Sequence, residues 1–185
     1  ILNLVYLCRY YKLEEVAEYW IQVLKINDFQ KNRFYKRVIK ELNNNISDKV
    51  ISVLGWAFKK DTNDSRESAS IDISDNLIQA GANLQIYDPM VNSDTIIKDL
   101  EELWISKNIS KSEIKLRFNK ITVCNTLKES FKNSSCICIL TEWDEFKDIS
   151  WNKIIEKANI ILDGRNILNI NNIKNQFEKI ISIGK

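Results

Sequence analysis

Histidine is absent from all 185 residues, which removes imidazole general catalysis and any His-ligated metal from the chemistry open to this chain. Glycine is nearly as scarce. Of four in the sequence, only Gly55 falls in the loop after the first expected strand, so the Gly-x-Gly-x-x-Gly cradle that lets a backbone approach a pyrophosphate is missing. Asp88 also lies too far on to be the ribose partner of such a cradle. No apolar run approaches the ~20 residues that span a bilayer. A strong charge bias is lacking too: 27 Lys and Arg against 25 Asp and Glu leave a net charge of +2, and no basic stripe interleaved with exposed aromatics stands out. We therefore expect no nucleic acid, no membrane and no metal as partners. Ile1 opens the chain and Met90 is its only methionine, from which we expect a piece of a longer polypeptide.

At 44% hydrophobic and 28% charged, the chain is expected to build one sizeable core with a helical appendage. The four cysteines, Cys8, Cys124, Cys136 and Cys138, match neither a zinc spacing nor a thioredoxin-type pair. They are expected as reduced, buried hydrophobes of a cytoplasmic protein.

Residues 1–46 read as helical, with a break near 11–13, and Val16, Tyr19, Trp20, Val23 and Leu24 recur at helical spacing. Around 20–26 the apolar residues occupy more than one stripe, as expected for a helix covered on several sides. Two readings stand: a long helix that links domains and dimerises, or an ordinary core helix. Asn43-Asn44-Asn45 is expected to end it by side-chain competition for backbone hydrogen bonds. From residue 47 to 185 strands and helices alternate. Strands are predicted at 49–54, 83–87, 120–123, 135–140, 159–162 and 179–183. Helices are predicted at 66–80, 127–132, 151–157 and 170–178, and residues 92–118 as a weakly packed, partly helical surface insertion. The alternation predicts an α/β fold, a Rossmann-like parallel sheet with helices on both faces, preceded by a long helix.

The stretch from Val53 to Ser68 draws three signals together. A strand ends at Leu54, a polar loop carries Lys59, Lys60 and Arg66, and Asp64 with Glu67 resembles an acidic capping box that starts a helix near Ser65 or Arg66. Loops at the carboxyl ends of strands line the crevice of an open α/β sheet, so an anion site is expected here. Lys59, beside the aromatic Phe58, is its foremost candidate, although by itself it reads equally as a solvated loop lysine. Lys60 is expected to be plain surface. Arg66 would oppose the dipole of a first helical turn, which suggests a task elsewhere, or a salt bridge to Asp64. Arg165 follows Asp163-Gly164 at a later strand end and can offer its forked donors to the same crevice. Glu142 and Trp143 are left open between loop packing and the site.

The run Gly-x-Ala-Phe-Lys-x-Asp-Thr-x-Asp-x-Arg-Glu-Ser from Gly55 to Ser68 resembles the signature of the nucleotide-sugar 6-dehydrogenases. Trp20, Asn27, Gln30, Tyr87-Asp88-Pro89, Thr141-Glu142-Trp143 and Asp163-Gly164-Arg165 fall in the same order as in that family, so the resemblance spans essentially the whole chain. It is closest to eukaryotic members that oxidise UDP-glucose with NAD. The resemblance implies that residues 47–185 bind the UDP-sugar, with Phe58, Lys59 and Arg165 as substrate contacts and Arg66 touching NAD held on another domain. It implies that residues 1–46 are the central helix through which a homo-oligomer forms. Members of the family capture the aldehyde on a cysteine of a Gly-Gly-x-Cys motif, whose matching position lies just before Ile1. Cys8 lacks the flanking glycines, so no catalytic residue is expected in this chain, and the chain alone is expected to be inactive. Asn166 stands where the closest animal members carry a second arginine. A GDP-mannose or UDP-N-acetyl-sugar dehydrogenase, or a non-catalytic oligomerisation module, remain the alternatives.

Overall fold

The structure, a computed structural model, describes residues 1–147, 160–173 and 177–184. Helix α1 (Leu2–Tyr10) and helix α2 (Glu14–Glu41) are separated by a turn in which Lys12 takes φ of +58°, so the expected break falls where the pattern put it. α2 ends for a different reason from the one expected. Asn43 and Asn44 enter the left-handed region at φ of +56° and +57°, a conformation asparagine tolerates, and their N–H groups return to the carbonyls of Lys40 and Ile39.

The α/β part follows as β1 (Val50–Leu54), α3 (Ala69–Gln79), β2 (Asn83–Tyr87), α4 (Ser93–Ser106), α5 (Lys111–Phe118) and β3 (Ile121–Val123). Then come α6 (Leu127–Ser130), β4 (Cys136–Ile139), α7 (Asp144–Lys147), β5 (Ile160–Asp163), α8 (Ile170–Ile173) and β6 (Lys179–Ser182). The strands form one parallel sheet in the order β3-β2-β1-β4-β5-β6. This is the doubly wound order, and its direction reverses between β1 and β4. β4 is buried at every residue and β1 at all but its first, as a central parallel strand covered on both faces must be. Each fully buried Ile, Leu or Val side chain there contributes about 1.5–3 kcal/mol.

Two expectations are corrected here. Residues 92–118 are not a weakly packed insertion: α4 places Ile96, Leu100 and Trp104 in the core with no exposure at all, and α5 adds the buried Ile114. The charged residues that suggested a surface segment occupy the other faces of the same amphipathic helices. The second correction concerns the helix after β1. It begins at Ala69, with Ser68 as its cap accepting from the Ser70 N–H at 3.3 Å, so Asp64 and Glu67 are not its capping box. Of the predicted helix over 170–178, the described residues show α8, and the helix predicted over 151–157 lies outside the described residues.

Candidate functional site

At the reversal point the ends of β1 and β4 abut. Gly55 has φ of +95°, and a Cβ built on it would meet Thr141 Cβ at 2.4 Å, so only glycine lets the two strand ends come this close. Thr141 Oγ1 then donates to the Ala57 carbonyl at 2.7 Å, and Ser70 Oγ donates to the Gly55 carbonyl at 2.8 Å. The first turn out of β1 is thereby fixed by side chains from the loop after β4 and from α3. Thr141 fills the space in which a dinucleotide's pyrophosphate would approach a glycine-rich turn, and the next helix starts only at Ala69. The residues present do not fit a dinucleotide cradle.

Asp88, at the end of β2, holds the same loop from the opposite side. Its Oδ2 accepts from the N–H groups of Trp56 at 2.6 Å and Ala57 at 3.0 Å and from the Trp143 indole at 3.0 Å. Its Oδ1 accepts from the N–H groups of Met90 and Val91, both at 2.9 Å. A buried carboxylate with five donors is fully satisfied, and it locks three loops together. Tyr-Asp-Pro reads in sequence as a strand-ending turn, which gives the local half of this role and none of the long-range half.

Beyond Ala57 the loop opens to solvent. Phe58 is half exposed, and its N–H donates to the Asp64 carbonyl at 2.8 Å, closing a loop with Asp61 in the left-handed region at φ of +62°. Lys59 is exposed at the rim, and among the described residues no hydrogen bond or ion pair engages it. Lys60, expected to be plain surface, instead reaches Asp144 of α7 at 3.1 Å.

Arg165 comes from the loop after β5 and turns back across the strand ends. Its Nε donates to the Leu140 carbonyl at 2.6 Å, a terminal nitrogen reaches the Phe58 carbonyl at 3.4 Å, and Glu142 Oε2 lies 3.4 Å from Nε. The loop is preset by Asp163, whose two buried oxygens accept from the Arg165 N–H at 3.0 Å and the Leu168 N–H at 2.9 Å. Gly164 is needed between them because a Cβ there would sit 2.7 Å from the Ile139 carbonyl and 3.1 Å from the Phe34 ring. The fold thus brings Phe58, Lys59 and Arg165 together, from loops separated by more than a hundred residues. Glu142 joins this group as the neighbour of Arg165, its Oε2 buried without a hydrogen bond, whereas Trp143 belongs to the Asp88 anchor.

Arg66 is placed differently. It precedes α3, so the expected conflict with that helix dipole does not arise. Its side chain is 87% exposed and makes a forked pair with Asp64 at 2.8 and 2.9 Å. Those bonds hold the Asp64 carboxyl down at about 2 and push the guanidinium's own pKa up. Of the cysteines, Cys124, Cys136 and Cys138 are buried and free, and Cys8 is half-buried. Burial pushes the Cys124 thiol up to about 11, which makes it a poor nucleophile. Among the described residues no helix is long and apolar enough to cross a membrane.

Residues 52–170 match the family model described as the UDP-glucose/GDP-mannose dehydrogenase family, UDP binding domain. The chain is 42% identical to UDP-glucose 6-dehydrogenase 4 and 44% identical to UDP-glucose 6-dehydrogenase 2 of Arabidopsis thaliana. Each alignment covers 100% of this chain and 40% of the relative, so the chain spans well under half the length of these curated proteins. Among solved structures, a UDP-glucose dehydrogenase from Pyrobaculum islandicum superposes with a TM-score of 0.65 at 20% identity, covering 97% of this chain and 34% of that one.

Proposed function

Because the chain belongs to the UDP-glucose/GDP-mannose dehydrogenase family, we propose that it is the UDP-sugar-holding part of a UDP-glucose 6-dehydrogenase, the enzyme that oxidises UDP-glucose to UDP-glucuronate with NAD. In this reading residues 47–185 form the UDP-sugar domain. Residues 1–46 form the central helical segment, through which the protein self-associates. The observation that carries it is that Arg165, anchored on the Leu140 and Phe58 carbonyls, ends beside the loop that carries the half-exposed Phe58 and, among the described residues, the unengaged Lys59. Lys59 supplies a mobile cation for a phosphate or sugar oxygen, and the Phe58 ring walls one side of the ligand. Arg165, held by two carbonyls and faced by Glu142, presents its remaining donors in a fixed direction, so little side-chain entropy is lost when it meets an anion.

NAD, when bound, supplies the hydride acceptor. The dinucleotide cradle is assigned to another part of the polypeptide, because the turn after β1 is closed by Thr141. This chain's contribution toward NAD is limited to Arg66, whose exposed guanidinium is free to leave Asp64 for a second domain. The cysteine nucleophile is likewise assigned to another part of the polypeptide, since none of Cys8, Cys124, Cys136 and Cys138 stands in a Gly-Gly-x-Cys motif, and the chain alone is expected to be inactive. The free, buried cysteines accord with a reducing compartment, and we place the protein in the cytoplasm.

Calorimetric titration tests the reading. UDP-glucose is expected to release heat selectively over UDP-N-acetylglucosamine and GDP-mannose, and Lys59→Ala and Arg165→Ala are each expected to weaken binding by about tenfold or more, the loss of one charge-assisted contact. A preference for GDP-mannose or the N-acetyl sugar would move the assignment to that substrate within the family. Unchanged affinity in both variants would overturn the site.

A further inference from the structure

α2 carries a second concentration of positive charge that the crevice does not use. Arg33, Lys36, Arg37 and Lys40 recur at intervals of three and four, which places them on one helical face. Like charges at these spacings repel, so the helix is less stable for having them. Only Arg37 is neutralised, by Glu41 at 2.6 Å, and Glu41 is also taken by Lys179. Among the described residues, no ion pair or hydrogen bond engages the side chains of Arg33, Lys36 and Lys40. This face is set by helical phase and not by local density of charge, so it does not stand out along the sequence.

These cations rim a cavity of about 240 Å3 between α2 and the carboxyl end of β6. Its floor is apolar, made by Phe34, Leu162, Ile181 and Ile183. Apolar and cationic lining residues together select an anion that also has an apolar part. The volume lies below the usual range of drug-sized ligand pockets, about 300–1,000 Å3, which suits only a small ligand and is too small to seat a helix. Phe34 serves this cavity and also lies against Gly164, in the loop that presets Arg165.

We propose that this cavity is a second anion site, which takes a small organic phosphate with a flat apolar group, the phosphate on Arg33, Lys36 and Lys40 and the apolar group on Phe34 and Ile183. The test is a backbone-amide NMR titration of the protein with phenyl phosphate, inorganic phosphate, benzyl alcohol and a hexaglutamate peptide. Phenyl phosphate is expected to shift resonances of residues 33–40 and 181–184, to bind more tightly than inorganic phosphate, and to weaken as salt is raised from about 0.05 to about 0.2 M. Benzyl alcohol is expected to leave them in place. Arg33→Glu combined with Lys40→Glu is expected to weaken the interaction by about tenfold or more. Lys36→Ala, which leaves the helix face less altered, provides a milder loss in the same direction. Lys59→Ala combined with Arg165→Ala is expected to leave it unchanged, so failure here and failure of the UDP-sugar reading are distinguishable. Shifts confined to the crevice loops, equal affinity for both phosphates, or indifference to the charge reversals would overturn the proposal. So would a response to the peptide alone, which would make the cavity a docking place for an acidic segment.

Discussion

Asp88 does more for the crevice than any residue expected to touch a ligand. Its five accepted hydrogen bonds tie the turn after β1 to the turn after β2 and to Trp143. Asp88→Ala would leave five buried or half-buried donors without a partner, and each such group costs about 1–3 kcal/mol when water cannot replace the acceptor. Partial hydration of the loop reduces the sum, so a destabilisation of at least about 3 kcal/mol is expected in urea unfolding. Binding of UDP-glucose should fall as well, because Ala57 and Phe58 lose their fixed direction. Asp88→Asn is expected to be milder, since one acceptor oxygen survives. Lys59 is the contrasting case: with no partner to lose, Lys59→Ala is expected to leave stability within about 0.5 kcal/mol and to act on binding alone. A Lys59→Ala protein that unfolds markedly earlier would show that the side chain has a structural partner after all.

Helices α3, α4 and α5 are joined at Asp75, a carboxylate with no exposure. Trp104 Nε1 and Arg117 reach its Oδ1 at 2.8 Å, and Lys107 at 2.6 Å and Gln79 at 2.8 Å reach its Oδ2. Arg117 also lies over the Trp104 ring at 5.6 Å. Burial pushes this carboxyl's pKa up, but the bonds from Lys107, Gln79 and Trp104 and the Lys107 charge outweigh it, and the net shift is downward. A carboxyl held below its unfolded value of about 3.9 contributes stability above that pH and loses it as pH falls through the folded value. The urea midpoint is therefore expected to drop as the solution is acidified below about pH 4, and Asp75→Asn, less stable at pH 7, should flatten that part of the profile. An unchanged acid slope in the variant would mean that other carboxylates carry it. At the same scale, α2 leaves Val16, Tyr19, Ile26 and Phe29 exposed, and α1 with the turn after it adds Tyr6, Tyr10 and Tyr11. Large apolar side chains in this number along two adjoining helices form the kind of patch at which proteins associate. Sedimentation is expected to show concentration-dependent self-association, shifted toward monomer by Ile26→Asp with Phe29→Asp. A monomer at all concentrations would assign that face to another part of the polypeptide.

Across the whole molecule, what was readable in one dimension is what depends on nearest neighbours. β-branched runs gave the strands, the break at Lys12 fell where the apolar period failed, and the alternation of elements gave a parallel, doubly covered sheet. Phe58, Lys59 and Arg165 were legible as site candidates because each follows a strand end, and in such a sheet strand ends face the crevice. Misreadings arose where a local signal had a competitor. Asp64 was read as a helix cap, but its side chain binds the Arg66 N–H and guanidinium four residues too early, and Ser68 caps the helix. The charge of residues 92–118 hid a buried stripe, since the period that reveals Ile96, Leu100 and Trp104 is interrupted by polar residues on the outer face. By itself, then, the sequence determined the fold class, the dehydrogenase family resemblance and the short list of strand-end residues, because these rest on residue type and spacing. Only the tertiary structure decided the strand order, the closure of the β1 turn by Thr141, the convergence of donors on Asp88 and Asp75, and the cavity beside α2. Each of these joins residues tens of positions apart, and no local propensity encodes which distant partner a buried polar group will find.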